Sequence, residues 1–187
     1  MSLIRSERLI VSLCDLSGVW SQPYLDAGYR VDRVDIKTDG RDVRLLKKPT
    51  HPVWGVLAAP PCTVFANSGA RWPRTDAEMV EGLSVVDACI RLVMATRPRW
   101  WALENPIGKL TRYLGEPTWT FQPFWFGDPY SKQTHLWGDF AVPDRRPVFP
   151  REGSKMHTQY GGKSERTKAA RSTTPAGFAR AFFEANP

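Results

Sequence analysis

The most constraining feature of this sequence is an alternation. Short runs rich in branched and aromatic apolar residues, "RLIVSLCDL", "YRVDRVDI", "VWGVLAA" and "RPRWWALENP", are separated by polar or helix-like stretches, and each run reads as a β-strand. "VWSQPYLDAGY", after the first run, reads as a short helix broken early by Pro23 and closed near Gly28. The clearest helix starts from Thr75, with Asp76 and Glu78 in its first turn and Met79, Leu83, Val86, Ile90, Val93 and Met94 at helical spacing. Cys89, on the same helix, reads as core. Strands alternating with helices specify an α/β fold: a mainly parallel sheet flanked by helices and joined by right-handed crossovers.

Beyond Pro106 the pattern loosens. "TWTFQPFWFGDPYSKQTHLWGDF" predicts one or two aromatic strands and a turn at "GDPYS", with its aromatics serving the core. "TTPAGFARAFFEANP" predicts a helix with Thr174 as N-cap, Pro175 at the first helical position, and Phe178, Phe182 and Phe183 on one face. A chain of 187 residues has room for one sizeable core, so residues 1–187 read as a single domain. No apolar run reaches the length of a membrane span, and the first residues lack a secretory cleavage pattern. Cys14, Cys62 and Cys89 are odd in number and far apart, which suits neither a disulfide framework nor a zinc site. These features lead to the expectation of a cytoplasmic monomer with reduced thiols and no membrane partner.

The 26 Lys and Arg against 19 Asp and Glu leave a net charge of +7, an excess suited to a polyanionic partner. Basic residues gather at Arg71 and Arg74 and again from Arg151 to Ser172. The second cluster contains glycines, and it reads either as a solvated loop or as a phosphate-contacting segment.

In open α/β sheets, ligands bind outside the carboxyl ends of the strands. Asp15, Asp35, Cys62 and Glu104 each end a predicted strand and are therefore expected on one rim. Pro60 and Pro61, with fixed φ and no backbone donor, end the third strand and present Cys62 on a stiff loop. Taken alone, Cys62 reads as a small buried apolar residue; the other three strand-end residues shift it toward function. Asp15 has Ser17 and Gly18 close by and a second acid, Asp35, about 20 residues later, which resembles the nucleoside-binding half of a Rossmann-like fold with Asp35 on the ribose hydroxyls. Gly18 stands alone instead of in a G-x-G-x-x-G fingerprint, so a dinucleotide is not favoured. A ribose-bearing ligand without a pyrophosphate fits better, and S-adenosyl-L-methionine is such a ligand.

"APPCTVFANS" resembles the Pro-Pro-Cys loop, and "RPRWWALENP" the Glu-Asn motif, of the DNA cytosine-5 methyltransferases. "LCDLSGVWSQPYLDAGY", "VDI" and "GRDVRLL" follow that family's order, and the resemblance covers residues 9 to 137. It implies a Rossmann-like methyltransferase fold that uses S-adenosyl-L-methionine. It also implies that Cys62 adds to carbon 6 of a cytosine, making carbon 5 nucleophilic enough to take the methyl group. Glu104 is then the acid at ring nitrogen 3 and the exocyclic amine, Asn105 and Pro106 fix the loop that aims it, and the base is flipped out of duplex DNA. For the cofactor, the resemblance implies a site formed by Asp15, Leu16, Ser17, Gly18 and Trp20, with Asp35 on the ribose, Asp42 near the adenine, and Ile36 and Pro60 completing the set.

The sequence departs from the family in two places. Where the family has Gln-x-Arg-x-Arg, this chain has "SKQTHLWG"; with Gln133 as the motif's Gln both arginines are missing, and Lys132 or His135 is expected to supply the charge. Residues 138–172 stand in place of a full target-recognition region and read as a short basic segment, with Lys155, Lys163, Arg166 and Lys168 on the DNA backbone. Ser68, Arg71, Arg74, Lys132, Gln133 and His135 join them as expected nucleic-acid contacts, and Arg171 is expected to be structural. The compact form suggests a phage or mobile-element enzyme working in the host cytoplasm. A tRNA or single-stranded DNA substrate is the alternative within the same chemistry, and a catalytically silent DNA-binding relative is the alternative outside it.

Overall fold

The computed structural model describes residues 4–69, 71–160 and 164–187. Among them, β1 (Leu9–Leu13), β2 (Arg30–Val34), β3 (Val53–Ala58), β4 (Trp100–Pro106), β5 (Trp119–Phe121) and β6 (Thr134–Asp139) form one sheet in the order β2-β1-β3-β4-β6-β5. The first four strands in that order are parallel, and β6 runs antiparallel to both β4 and β5. The fold is thus the expected mixed α/β architecture with a mainly parallel sheet. Every residue of β1 is buried, as a central strand covered on both faces requires, whereas the edge strand β2 is largely accessible.

The helices are α1 (Gln22–Asp26), α2 (Asp76–Thr96), α3 (Thr111–Leu114), α4 (Lys155–Thr158), α5 (Glu165–Ser172) and α6 (Ala176–Ala185). A capping box starts α2: the Glu78 N–H donates to Thr75 Oγ1 at 3.2 Å, and the Thr75 N–H donates to Glu78 Oε2 at 2.8 Å. Its apolar face, with Val86, Cys89, Leu92 and Val93, packs on one side of the sheet against Val11, Leu13, Val56 and Leu103. Met94, expected on that face, is exposed. Leu92 and Val93 take the inward positions, and the next residue is turned about 100° away.

An aromatic layer fills the other side. Trp20, Tyr24, Trp100, Phe121, Phe126, Phe178 and Phe182 join α1 and α6 to the sheet, with Phe121 and Phe178 stacked at 3.8 Å. Pro23 falls in the first turn of α1, where a missing N–H is harmless, so it opens the helix instead of breaking it. The start of α6 also differs from expectation. Pro175 occupies the cap position, Thr174 makes no cap, and the Gly177 N–H donates to the Asp128 carboxylate at 2.8 Å. Gly177 is required there because a Cβ would overlap the Phe126 carbonyl oxygen.

The connection through α1 lies on one face of the sheet and the connection through α2 on the other, so the chain changes direction between β1 and β3. That switch point is where an open α/β sheet leaves a crevice beyond its strand ends. After β6 the chain runs beside a 3-10 turn at Pro123–Phe126, with Arg146 and Val148 N–H groups donating to the Trp125 and Phe124 carbonyls at 2.8 Å each. It then returns over the strand ends through α4 and α5. Among the described residues, no helix is long and apolar enough to cross a membrane.

Candidate active site

A small cavity of about 50 Å³ lies at the switch point. Asp15, Leu16 and Ser17 wall it from the end of β1, Pro60 and Cys62 from the loop after β3, Glu104 from β4, and Lys132 from the approach to β6. Arg171, Ser172 and Thr174 close it from the segment between α5 and α6. Three of the four expected rim residues therefore meet. Asp35 ends the neighbouring strand β2 and stands outside this wall.

The loop carrying Cys62 is held from several directions. Glu104 is the first residue of β4 beyond its last pairing with β3, Leu103 to Ala58, and lies opposite Leu136 of β6. Asn105, fully buried, donates from Nδ2 to the Pro60 carbonyl at 3.0 Å. The Cys62 carbonyl accepts from the Phe65 and Ala66 N–H groups at 3.0 and 2.8 Å, which turns the chain sharply. The segment that follows is laced to the loop after β4, with the Asn67 N–H donating to Ile107 and the Lys109 N–H to Phe65. Gly108 permits that approach, since a Cβ there would overlap the Phe65 carbonyl oxygen. The glycine three residues after Asn105 was the available sequence signal for this contact.

Glu104 is 4% exposed, and its Oε1 makes no hydrogen bond among the described residues. Lys132 Nζ, on a side chain only 9% exposed, lies 3.8 Å from that oxygen and 3.5 Å from the Thr173 carbonyl. Burial pushes the Glu104 carboxyl above its usual range, and Lys132 opposes the shift. Burial likewise pushes the Cys62 thiol up; Lys132 lowers it, Glu104 raises it, and Arg171 lowers it. Arg171 thus faces the thiol electrostatically, a placement the expectation of a structural role did not contain.

Side chains alternate along β6, so Leu136 points to the aromatic layer and Trp137 to the α2 side. His135 shares the Trp137 face, with the two rings 5.7 Å apart. Burial lowers its proton affinity. His135 is therefore neither an exposed DNA contact nor the cation beside Glu104; Lys132 is that cation. Gln133 is exposed just outside β6.

In the expected cofactor region, the Asp15 carboxylate accepts from Ser12 Oγ at 2.7 Å, Ser21 Oγ at 2.6 Å and the Gly18 N–H at 2.8 Å. These bonds fold the loop after β1 into a fixed turn, with Gly18 at φ +70°. Asp35 accepts from the Lys37 N–H through Oδ1 at 2.8 Å, and its Oδ2 takes no partner among the described residues. Ile36, beside it, is exposed. Trp20 lies in the aromatic core against Phe178 and Phe182, away from the cavity wall, because its large ring fills the layer under α6. Asp42 is engaged by Arg44, whose backbone N–H donates at 2.9 Å and whose guanidinium pairs with it; this holds its carboxyl below the usual range. The adjacent Asp-x-Arg in the sequence signalled that local pair.

Of the expected DNA contacts, Ser68 and Arg71 are exposed, on and just beyond the 3-10 turn Asn67–Gly69. The Arg71 guanidinium lies 5.3 Å from the Trp72 ring centroid. Arg74 is turned inward, donating to the Thr63 carbonyl at 3.1 Å with Glu78 3.7 Å away. Lys155 is occupied by Glu152 at 2.6 Å and by the Tyr130 ring at 4.3 Å, so its ammonium is not presented to a phosphate. Lys163 and the side chains of Arg166 and Lys168 lie outside the described residues. A larger cavity, about 520 Å³, lies at the opposite rim between Arg8, Trp54, Arg99 and Asp139, and none of the expected site residues lines it.

No protein-family model matches this sequence, and comparison with curated proteins gives no match. Among solved structures, the chain is similar to the crystal structure of a prophage-encoded E. coli protein named for a presumed DNA modification methyltransferase activity. The TM-score is 0.55 at 16% identity, over 84% of this chain and 56% of the other. This chain therefore spans little more than half the length of that protein, and the likeness is one of fold.

Proposed function

We propose that this protein transfers a methyl group from S-adenosyl-L-methionine to carbon 5 of cytosine in DNA, through a covalent adduct with Cys62. The observation that carries this reading is the convergence of Cys62, Glu104 and Lys132 on one cavity at the switch point. Likeness of fold to a protein named as a DNA modification methyltransferase supports the reaction class.

The Cys62 thiolate adds to ring carbon 6, and the displaced electron pair moves toward nitrogen 3. Glu104, whose burial favours the protonated form, donates its hydrogen bond there. Lys132 and Arg171 hold positive charge where the thiolate forms. Carbon 5, now enamine-like, takes the methyl group, a base removes the carbon 5 proton, and Cys62 leaves. S-adenosyl-L-methionine supplies that methyl on a sulfonium. The chain's polar groups fit such a cofactor: Asp35 Oδ2, which takes no partner among the described residues, can accept from a ribose diol, and the Asp15 turn offers a shaped backbone beside the cavity. Trp20 and Asp42, committed elsewhere, are not part of this set.

At about 50 Å³ the cavity is far smaller than the roughly 300–1,000 Å³ of ligand pockets. Binding of base and cofactor therefore requires the Arg171, Ser172 and Thr174 wall to shift. The test is to incubate the protein with labelled S-adenosyl-L-methionine and duplex DNA, single-stranded DNA or tRNA, then identify the methylated nucleoside by mass spectrometry. The expected product is 5-methylcytidine's deoxy form from duplex DNA. A methyl group on an exocyclic amine would sink the mechanism, and label in tRNA alone would move the substrate.

A further inference from the structure

The segment after β6 holds an apolar pair out into water. Phe149 is 82% exposed, more than any other large apolar side chain among the described residues, and Val148 beside it is also exposed. Pro147 and Pro150 flank this pair, and Arg145, Arg146 and Arg151 stand exposed around it. The backbone is tied down on both sides. The Val148 N–H donates to Phe124 at 2.8 Å, the Arg151 N–H to Phe149 itself at 2.8 Å, and the Gly153 N–H to Pro150 at 2.9 Å. An aromatic ring held out into water on a pinned loop among cations suits a polyanion with π faces.

The loop also leads to the candidate active site. The Glu152 N–H donates to the Pro129 carbonyl at 2.9 Å and the Ser131 N–H to Gly153 at 2.8 Å, directly before Lys132. Three residues of chain reach at most about 11 Å, so Phe149 lies within about one major-groove width of Glu152. The Arg145 guanidinium carbon lies over the Trp125 ring, 3.7 Å from its centroid.

We propose that Phe149 wedges into an unstacked base step of duplex DNA near the methylation site, with Arg145 and Arg151 on the flanking phosphates. This rests on DNA being the partner in the function proposed above. Once a step is opened the ring meets a π face that every base has, so Phe149 contributes affinity with little sequence preference, and the arginines contribute the salt-dependent part.

The test measures binding of the full chain to a fluorescein-labelled duplex by anisotropy across a salt series. Phe149→Ala is expected to weaken binding about ten-fold while leaving the slope of log K against log salt unchanged. Phe149→Trp restores affinity, and Arg151→Ala reduces the slope by about 0.9. The thermal midpoint of Phe149→Ala stays at the wild-type value, because the side chain is 82% exposed. Wild-type affinity in Phe149→Ala, or no duplex binding by the wild type, overturns the proposal. Duplex binding with these dependences but no methyl transfer would leave the Phe149 role standing and remove the methyltransferase reading. Methyl transfer with the same KM for DNA in Phe149→Ala would do the reverse.

Discussion

Asn105 donates from Nδ2 to the Pro60 carbonyl at 3.0 Å, joining β4 to the loop that carries Cys62. Glu104 is the neighbour of one partner and Cys62 lies two residues beyond the other, so this amide is one of the contacts that hold together the two groups on which the proposed chemistry depends. Asn105→Ala leaves a buried carbonyl without its donor and is expected to lower unfolding free energy by about 1–3 kcal/mol in urea titration. Methyl transfer should fall by more than the loss of folded protein, because Cys62 loses one of the contacts that fix its loop to β4.

Gly108 is the second fastener. With the Phe65 carbonyl where a Cβ would go, Gly108→Ala must part the loop after β4 from the turn that begins at Cys62. The expected cost is about 1–3 kcal/mol, the usual range for forced overpacking. The thermal midpoint checks it; an unchanged midpoint would mean that the two loops are not coupled.

Lys132 tunes the nucleophile. Burial raises the Cys62 thiol, and the largest opposing influence is the Lys132 ammonium. Lys132→Met keeps the aliphatic stem and removes the charge, so the pH profile of Cys62 alkylation by iodoacetamide, followed on the Cys62 peptide, should move to higher pH. His135→Gln should leave that profile in place, because His135 does not line the cavity and is not among the groups acting on the Cys62 thiol.

Glu104 makes stability depend on pH. Burial raises its carboxyl above the ordinary value near 4.5, so between that pH and the folded value the folded chain holds a proton that the unfolded chain has lost. The stabilisation from this group is complete below about pH 4.5 and is lost as pH rises through the folded value. Glu104→Gln cannot ionise and should lack that decline in urea titrations from pH 4.5 to pH 8. Parallel curves for wild type and variant would contradict the buried carboxyl.

What could be read from the sequence, and what could not, follows from range. The strands from Leu9 to Pro106 and the helix capped by Thr75 were legible because their apolar spacing and caps are local. The meeting of Asp15, Cys62 and Glu104 was legible because parallel strands place their carboxyl ends on one rim. The orientation near β6 was not. That strand begins at Thr134, and a shift of one residue in reading it exchanges the faces, which put His135 and Lys132 on equal footing until the fold separated them. Arg171 and Thr174 reach the cavity only through the return of a long irregular segment, and Asp128 serves the start of α6 from 49 residues away. Contacts of that kind leave no periodic trace in a sequence.

The most direct measurement of the central claim is adduct formation with duplex DNA containing 5-fluorocytosine, in the presence of S-adenosyl-L-methionine. Fluorine at carbon 5 cannot leave as a proton does, so an enzyme that attacks carbon 6 through a thiolate remains bound to the DNA. The account predicts a denaturation-resistant complex linked through Cys62 and absent in Cys62→Ala. Methyl transfer to DNA that survives in Cys62→Ala, with no such complex in the wild type, would contradict it.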